Sequence, residues 1–388
     1  DGHPDAEVLD ARGALLLPGF VDCHVHYPQL RVTGAMGLEL MDWLRQRALP
    51  EEARLADLTY AGAVADEFVW GLAAAGTTTA LVFGSHFPGA QEALFAAAHD
   101  SGLRVTSGLV VSDRGLLPAL HVSPEIALRA SRELIERWHG RGRLRYAVTP
   151  RFSVSCSEAM LAACGDLAGD VEGLLFTTHL NETPDEVALV RSLFPWASDY
   201  LQTYERYGLV GARSVFAHDV HPTDDELRRL AVAGATVAHC PSSNAFLGSG
   251  LFPLRRHLDA GVRVALGTDV GAGTGLSMLK EGLMAYEAQM LMSEGVRIGP
   301  AHLLWLATGA GAAALGLADE VGDFTTGKSA DYVLVAPPAG STLATVLGRS
   351  ESVEDQLGAV FTLAREESIA EVRVAGEVVW PRSPSLAR

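Results

Sequence analysis

The feature of this sequence that most constrains its fold is an alternation of short apolar segments with longer helical segments over residues 19–316. Repeated strand–helix units of this kind are typical of a parallel β-sheet. Eight candidate strands occur, at residues 19–23, 77–83, 104–111, 144–149, 174–178, 214–217, 236–238 and 263–267. Eight such units predict an α/β fold, a (β/α)8 or TIM barrel, with the Ala-, Leu- and Glu-rich segments between them as outer helices.

The pattern changes after residue 316. Short strand-like segments at 330–336, 369–375 and 377–380 are separated by Gly, Pro and Ser turns, and similar segments at 7–9 and 14–17 precede the barrel. We therefore predict a small β-sandwich-like domain built from both chain ends. It would comprise residues 1–17 and 317–388, with the barrel occupying residues 18–316.

The charge of the chain restricts its partners. The sequence has 30 Lys and Arg residues against 47 Asp and Glu residues, a formal net charge of −17. Such a chain repels nucleic acid phosphates and anionic lipid surfaces, so neither is an expected partner. A neutral or cationic small molecule fits this charge better.

The cysteines and the chain start bear on location. Four cysteines without a CxxC spacing are too few to staple 388 residues, which favours a reducing compartment. The longest uncharged stretch, residues 301–318, contains His302, Thr308 and three glycines, so we interpret it as a buried helix. The acidic start shows no signal peptide. These features predict a cytoplasmic protein.

Candidate metal ligands occur where the predicted strands end, which is the face that carries the active site in such barrels. The first strand ends in His24 and His26, and residues two apart on a strand share one face. His179 ends the fifth strand, His218 the sixth, and Asp269 the eighth. An HxH pair alone is also compatible with hydrogen-bonded loop histidines, but the five positions together predict a metal site.

The donor types restrict the metal. Imidazoles with one carboxylate suit Zn(II) or Fe(II). Binuclear sites of this kind often use a bridging modified lysine, and no lysine occurs before Lys280, so one metal is expected. Such a metal lowers the pKa of its bound water to about 7. Glu182, three residues after His179, and Asp269 would then handle protons.

A family resemblance follows from longer motifs. PGFVDCHVHYPQ, TPRFSVSCSE, THLNE, FAHD, HCPSSNAFLGSG and LGTDVGAGTGLSML resemble the amidohydrolase superfamily, and within it the branch that deaminates guanine. The resemblance covers residues 18–279, with a weaker match at GKSADYVLV. Gln29, and the Pro-Arg-Phe triplet that contains Arg151 and Phe152, are particular to that branch.

The resemblance implies an activity and a residue for each role. It implies hydrolytic deamination of guanine to xanthine and ammonia, in purine catabolism or salvage, by a homodimer. Metal-bound hydroxide would attack carbon 2 of guanine while Glu182 and Asp269 transfer protons. One zinc per subunit would be bound by His24, His26, His179, His218 and Asp269, and guanine would be contacted by Gln29, Arg151, Phe152, Glu182 and His218.

Physical chemistry is compatible with these contacts. Guanine presents two acceptors on one edge, which a planar guanidinium such as that of Arg151 matches with two hydrogen bonds. For a lone arginine the alternative is a structural salt bridge. The sequence departs from the family where acidic Asp219 follows His218, in place of a small residue, which predicts a shifted pKa for His218.

Other interpretations stay open. A related aminohydrolase could act on another amino-purine, a pterin or a triazine, and a non-catalytic scaffold would be expected to lose ligands that this chain retains. GDFTTGKS at 322–329 formally fits the P-loop pattern, but a strand follows it, so we interpret it as a turn. His86 and His239 end the second and seventh strands and could contact substrate or be structural. Cys23 and Cys240 are expected in the core.

Overall fold

The computed structural model describes residues 8–381. Within them the strands are β1 (Leu15–Pro18), β2 (Phe20–His26), β3 (Thr77–Phe83), β4 (Arg104–Gly108), β5 (Val110–Val111), β6 (Leu144–Pro150), β7 (Leu175–Leu180), β8 (Ser214–His218), β9 (Thr236–His239), β10 (Arg263–Leu266), β11 (Tyr332–Val335), β12 (Ile369–Val374) and β13 (Glu377–Pro381).

The helices alternate with the barrel strands and continue beyond them. They are α1 (Leu40–Trp43), α2 (Leu49–Arg54), α3 (Leu58–Ala74), α4 (Pro88–Ser101), α5 (Pro124–Trp138), α6 (Glu158–Asp170), α7 (Pro184–Leu193), α8 (Gln202–Glu205), α9 (Asp224–Ala233), α10 (Pro241–Phe246), α11 (Leu254–Ala260), α12 (Met278–Leu291), α13 (Pro300–Leu306), α14 (Gly309–Ala314), α15 (Thr342–Leu347) and α16 (Val353–Leu363). A π-helical turn, Leu44–Ala48, joins α1 to α2.

The predicted (β/α)8 barrel is confirmed. Its eight parallel strands pair in the order β2-β3-β4-β6-β7-β8-β9-β10, and β5 adds a second short pairing with β6. The predicted strand at 104–111 is thus divided between β4 and β5. Where β10 ends, the chain meets β2: the His26 amide donates to the Val270 carbonyl and the Asp269 amide to the His24 carbonyl, both at 2.8 Å. These bonds close the barrel.

The residue types explain the elements. The barrel strands are rich in β-branched and aromatic residues and are almost entirely buried, as expected for a sheet covered on one side by helices and filled on the other. Many of the helices that follow them begin at capping residues whose side chains accept amide hydrogens of the first turn. These caps include Asp57, Ser123, Ser157, Thr183, Thr223 and Ser277.

A buried carboxylate holds the closure of the barrel. Asp22 of β2 accepts hydrogen bonds from the Thr268 amide at 3.0 Å, the Thr268 hydroxyl at 2.5 Å and the His24 amide at 3.2 Å. The Asp22 side chain is inaccessible to solvent. It therefore joins the first barrel strand to the segment after the last, next to His24 and Asp269.

An Asp22→Ala variant is expected to lose about 2–4 kcal/mol of unfolding free energy, because the change leaves buried donors of Thr268 and His24 without an acceptor. The measurement is urea unfolding at a fixed metal concentration. The control is Asp57→Ala, which removes the surface cap of α3 and should cost about 1 kcal/mol. Equal losses in the two variants would show that Asp22 has no special part in closure.

The small β-unit predicted from both chain ends is also present. It is an antiparallel sheet of order β1-β11-β12-β13, and within residues 8–381 it forms one layer. Of the predicted strand at 7–9, Glu7 lies outside the described residues, and Val8 and Leu9 are not in a strand. Arg104 of the barrel donates to Asp331, just before β11, at 2.7 Å, which ties the sheet to the barrel.

Two further predictions concern the C-terminal third. GDFTTGKS forms turns that lead into β11 and not the helix that a P-loop requires. Its Lys328 forms a salt bridge of 2.7 Å with Asp323. The uncharged stretch at 301–318 forms α13 and α14, two short helices instead of one. Across residues 8–381, no helix combines the length and the apolar character that crossing a membrane requires.

Candidate active site

The side chains predicted to bind metal meet at the carboxyl-terminal mouth of the barrel. The Nε2 atom of His26 lies 3.0 Å from that of His24 and 3.3 Å from that of His179. The Asp269 Oδ1 atom lies 3.2 Å from His24 Nε2 and 3.1 Å from His26 Nε2, and its Oδ2 atom lies 3.7 Å from His218 Nε2. The structure thus brings all five predicted residues together.

The electrostatics of this cluster suit a cation. Burial lowers the pKa of His24 and His179, and that of His26 to about 4, which favours the neutral form of imidazole that binds a metal. Burial alone would raise the pKa of Asp269, but hydrogen bonds from His24 and His26 hold it well below its ordinary value. Neutral imidazoles around one carboxylate form a donor set that fits Zn(II) or Fe(II).

Hydrogen bonds to the other ring nitrogens orient two of the imidazoles. His179 places Nδ1 2.7 Å from the Arg151 carbonyl oxygen, and His218 places Nδ1 3.0 Å from Asn244 Oδ1. Both contacts leave Nε2 facing the cluster, as in metal-binding histidines. The Nε2 atom of His218 is buried and has no hydrogen-bond partner among residues 8–381. A metal ion at this place would bind that nitrogen. Four donor atoms lie within 4.8 Å of one another, one from each of His24, His179, His218 and Asp269.

The backbone is left-handed where these side chains leave the strands. His218, Asp219 and Asp269 have φ angles of 72°, 47° and 48°, a region that residues other than Gly rarely adopt and that is common at functional sites. The Asp219 carboxylate bonds to His257 Nε2 and Asn181 Nδ2, both at 2.9 Å. The acidic departure from the family pattern is therefore paired within the core.

Glu182 lies beside the histidines. Its Oε2 atom is 3.6 Å from His218 Nε2, and its Oε1 atom accepts a hydrogen bond of 3.4 Å from the Ser249 hydroxyl. Burial, together with the charge of Asp269, raises the pKa of Glu182 well above its ordinary value. The backbone is held by Glu186, which accepts from the Glu182 amide at 2.9 Å. A buried carboxyl with a raised pKa at this place suits a general acid.

A narrow pocket with a cavity volume of about 20 Å³ opens at the cluster. Phe152 borders it with its ring centre 6.3 Å from that of His179. Residues 40–44 add an apolar part of the wall that the sequence motifs did not indicate. The lining residues are His26, Gln29, Leu40, Trp43, Leu44, Arg151, Phe152, His179, Glu182, His218, Leu247, Asp269 and Ala272.

Arg151 and Gln29 reach this pocket while bonded to a residue that the sequence analysis missed. Arg151 Nη1 lies 2.8 Å from both carboxylate oxygens of Glu52, and Gln29 Nε2 donates to Glu52 Oε1 at 2.7 Å. Arg151 therefore forms a salt bridge, the alternative considered above, and also lines the pocket. Glu52 follows no strand and belongs to no motif, so no local sequence pattern indicates its role.

Two further histidines and two cysteines were singled out in the sequence. His86 Nδ1 is 3.3 Å from Glu52 Oε2. His239 stacks on Phe252 with ring centres 4.2 Å apart, and within residues 8–381 neither of its ring nitrogens has a hydrogen-bond partner. Neither histidine is among the residues that line the pocket. Cys23 and Cys240 are buried, as expected for core residues.

Comparisons with known proteins agree with this geometry. The model of the amidohydrolase family matches residues 15–379. A probable guanine deaminase of Deinococcus radiodurans is 60% identical over 380 residues, covering 98% of this chain and 87% of the relative.

Two solved structures are similar over nearly the whole chain. The structure of guanine deaminase of Escherichia coli matches with a TM-score of 0.93 and 42% identity, over 96% of this chain and 85% of that one. A structure of guanine deaminase from C. acetobutylicum with bound guanine in the active site matches with a TM-score of 0.92 and 26% identity, over 98% and 90%.

Proposed function

This chain belongs to the amidohydrolase family, and from that premise we propose that it is an enzyme that deaminates guanine by hydrolysis, giving xanthine and ammonia. One observation carries the proposal. Four candidate metal ligands, the carboxyl group of Glu182 and the guanidinium of Arg151 line a single pocket at the mouth of the barrel. The near full-length similarity to guanine deaminases supports the same substrate.

The metal we propose is a single Zn(II) per subunit, with Fe(II) as the alternative. It would be held by His24, His26, His179, His218 and Asp269, whose donor atoms converge at the mouth of the barrel. A divalent ion of this kind supplies Lewis acidity: it lowers the pKa of water to about 7 and makes a nucleophile available at neutral pH.

The two carboxyl groups would divide the proton transfers. Asp269, ionised because its pKa is well below the ordinary value, accepts the proton of the water that attacks carbon 2 of guanine. Glu182, protonated because its pKa is raised, donates to the adjacent ring nitrogen. A further proton delivered to the exocyclic amine lets it leave as ammonia. The sum is guanine plus water giving xanthine plus ammonia.

The purine would be held by the wall opposite the metal ligands. Arg151 uses Nη1 for Glu52, and its other guanidinium nitrogens have no protein acceptor among residues 8–381, so they can donate to the acceptor edge of guanine. The Phe152 ring would pack on the purine, while Gln29 and His218 border the same space.

Guanine conversion by the purified, metal-loaded protein tests the proposal. We expect the ultraviolet spectrum of guanine to change to that of xanthine with release of one ammonia per purine. Such turnover also excludes a non-catalytic scaffold. A sample shown to contain metal that leaves guanine unchanged would contradict the proposal, and the other amino-purines, pterins and triazines would then be assayed.

Several expectations accompany this function. The homodimer and the role in purine catabolism stay predictions from the resemblance. The cytoplasmic location and the division into domains at residues 1–17, 18–316 and 317–388 stay predictions from the sequence pattern. Sedimentation of the purified protein measures whether it is a homodimer.

A further inference from the structure

Glu52 connects three parts of the barrel mouth without lining the pocket itself. Its carboxylate binds Arg151 at the end of β6, Gln29 after β2 and His86 after β3, at 2.8, 2.7 and 3.3 Å. The residue lies on α2 and is only 2% exposed. Both of its oxygens are therefore committed to side chains that surround the proposed purine site.

The charges of this group cancel. Burial by itself would raise the pKa of Glu52, but the Arg151 guanidinium, the nearby His86 ring and the hydrogen bond from Gln29 hold it well below its ordinary value. Burial lowers the pKa of His86, which leaves its ring neutral. The pocket thus presents the donors of Arg151 as part of a neutral pair and not as a lone buried cation.

We propose that Glu52 makes this pocket select neutral purines over purine anions, by neutralising Arg151 and by fixing which guanidinium nitrogens face the ligand. The inference rests on the proposed function, since Arg151 is taken to contact the purine. Glu52 is a positioning residue, because it acts through Arg151 and Gln29.

Selection against purine anions would favour release of the product of the proposed reaction. Replacing the exocyclic amine of guanine by a second carbonyl makes the product a stronger acid than the substrate, so near neutral pH the product becomes an anion first. A lone guanidinium in a buried site would hold that anion strongly. The Arg151–Glu52 pair removes this attraction and favours release of product.

The test compares Glu52→Gln with a matched control, Glu51→Gln. Glu51 precedes Glu52 on α2, is also buried, and bonds instead to Arg54 at 3.0 Å and to the Tyr60 hydroxyl. Each variant removes one negative charge at nearly the same place. The probes are urate, a purine anion at neutral pH, and hypoxanthine, a neutral purine, and the readout is the ratio of their dissociation constants measured by calorimetry.

We expect the preference for urate over hypoxanthine to be at least about tenfold greater in Glu52→Gln than in the unchanged protein. The reason is that the substitution leaves Arg151 as an unpaired cation. The Glu51→Gln control should leave the ratio unchanged. A merely structural role would weaken both ligands together. An unchanged ratio in folded Glu52→Gln protein would overturn the proposal, and so would an equal change in the control.

A measurement on the unchanged protein covers the case in which Glu52→Gln does not fold. Its affinity for xanthine should fall as the pH rises through the pKa of xanthine, while its affinity for hypoxanthine, which stays neutral, should not. The ionisable groups in contact with Glu52 are Arg151 and His86. A rising affinity for the xanthine anion would overturn the proposal. Binding needs no turnover, so a protein that fails to convert guanine contradicts the proposed function separately.

Discussion

A Glu182→Gln variant is expected to retain its metal and to lose about 10²–10⁴-fold in kcat for guanine, the usual contribution of a positioned general acid. The amide is nearly the same size as the carboxyl and can still accept the hydrogen bond from Ser249. It cannot release or take up a proton in the way that the buried, protonated Glu182 can. The measurement is steady-state turnover together with the metal content of the same sample.

The control is Glu186→Gln. Glu186 is a second buried carboxyl, in the first turn of α7, bonded to the Glu182 amide and to the Tyr200 hydroxyl, and it does not line the pocket. Its substitution should cost far less than that of Glu182. If Glu182→Gln bound metal normally and kept full turnover, Glu182 would not be the proton shuttle.

Loss of the metal is expected to abolish turnover. Treatment with a chelator should bring the rate to the background level, because the proposed metal supplies the Lewis acidity that makes water nucleophilic at neutral pH. His179→Asn should likewise lower both metal content and turnover, since it removes one of the converging donors and its contact with the Arg151 carbonyl. The readouts are the zinc and iron content of the protein and its rate with guanine.

The matched control is His302→Asn, which changes a histidine of α13 that belongs to neither the cluster nor the pocket. It should keep its metal and its rate. The ion that restores the chelated protein decides between zinc and iron. Full turnover in a protein stripped of metal would refute the proposed mechanism.

The barrel and the metal cluster could be predicted because both follow from local patterns. A strand–helix alternation fixes the class of sheet, and a parallel barrel brings every strand end to one mouth. The positions of His24, His179 and Asp269 along the chain therefore already implied that they meet, and the structure places them within 4.8 Å.

The parts that could not be predicted depend on contacts between distant segments. Glu52 and Arg151 are 99 residues apart, and no local pattern distinguishes Glu52 from Glu51 beside it. Whether Arg151 binds a carboxylate or a ligand is likewise a matter of tertiary packing. At the chain start, Val8 and Leu9 have strand-like residue types but no strand, since β propensity depends on a partner to pair with.

The bond between Asp22 and Thr268 has a consequence for how the protein is made. The two residues are 246 positions apart, and Asp269 follows immediately after the second of them. A ribosome that has completed His24, His26, His179 and His218 has therefore produced four imidazoles without their carboxylate and without a closed barrel. Because contacts of such long range form late in folding, the nascent chain cannot assemble its full metal site until Asp269 has been synthesised.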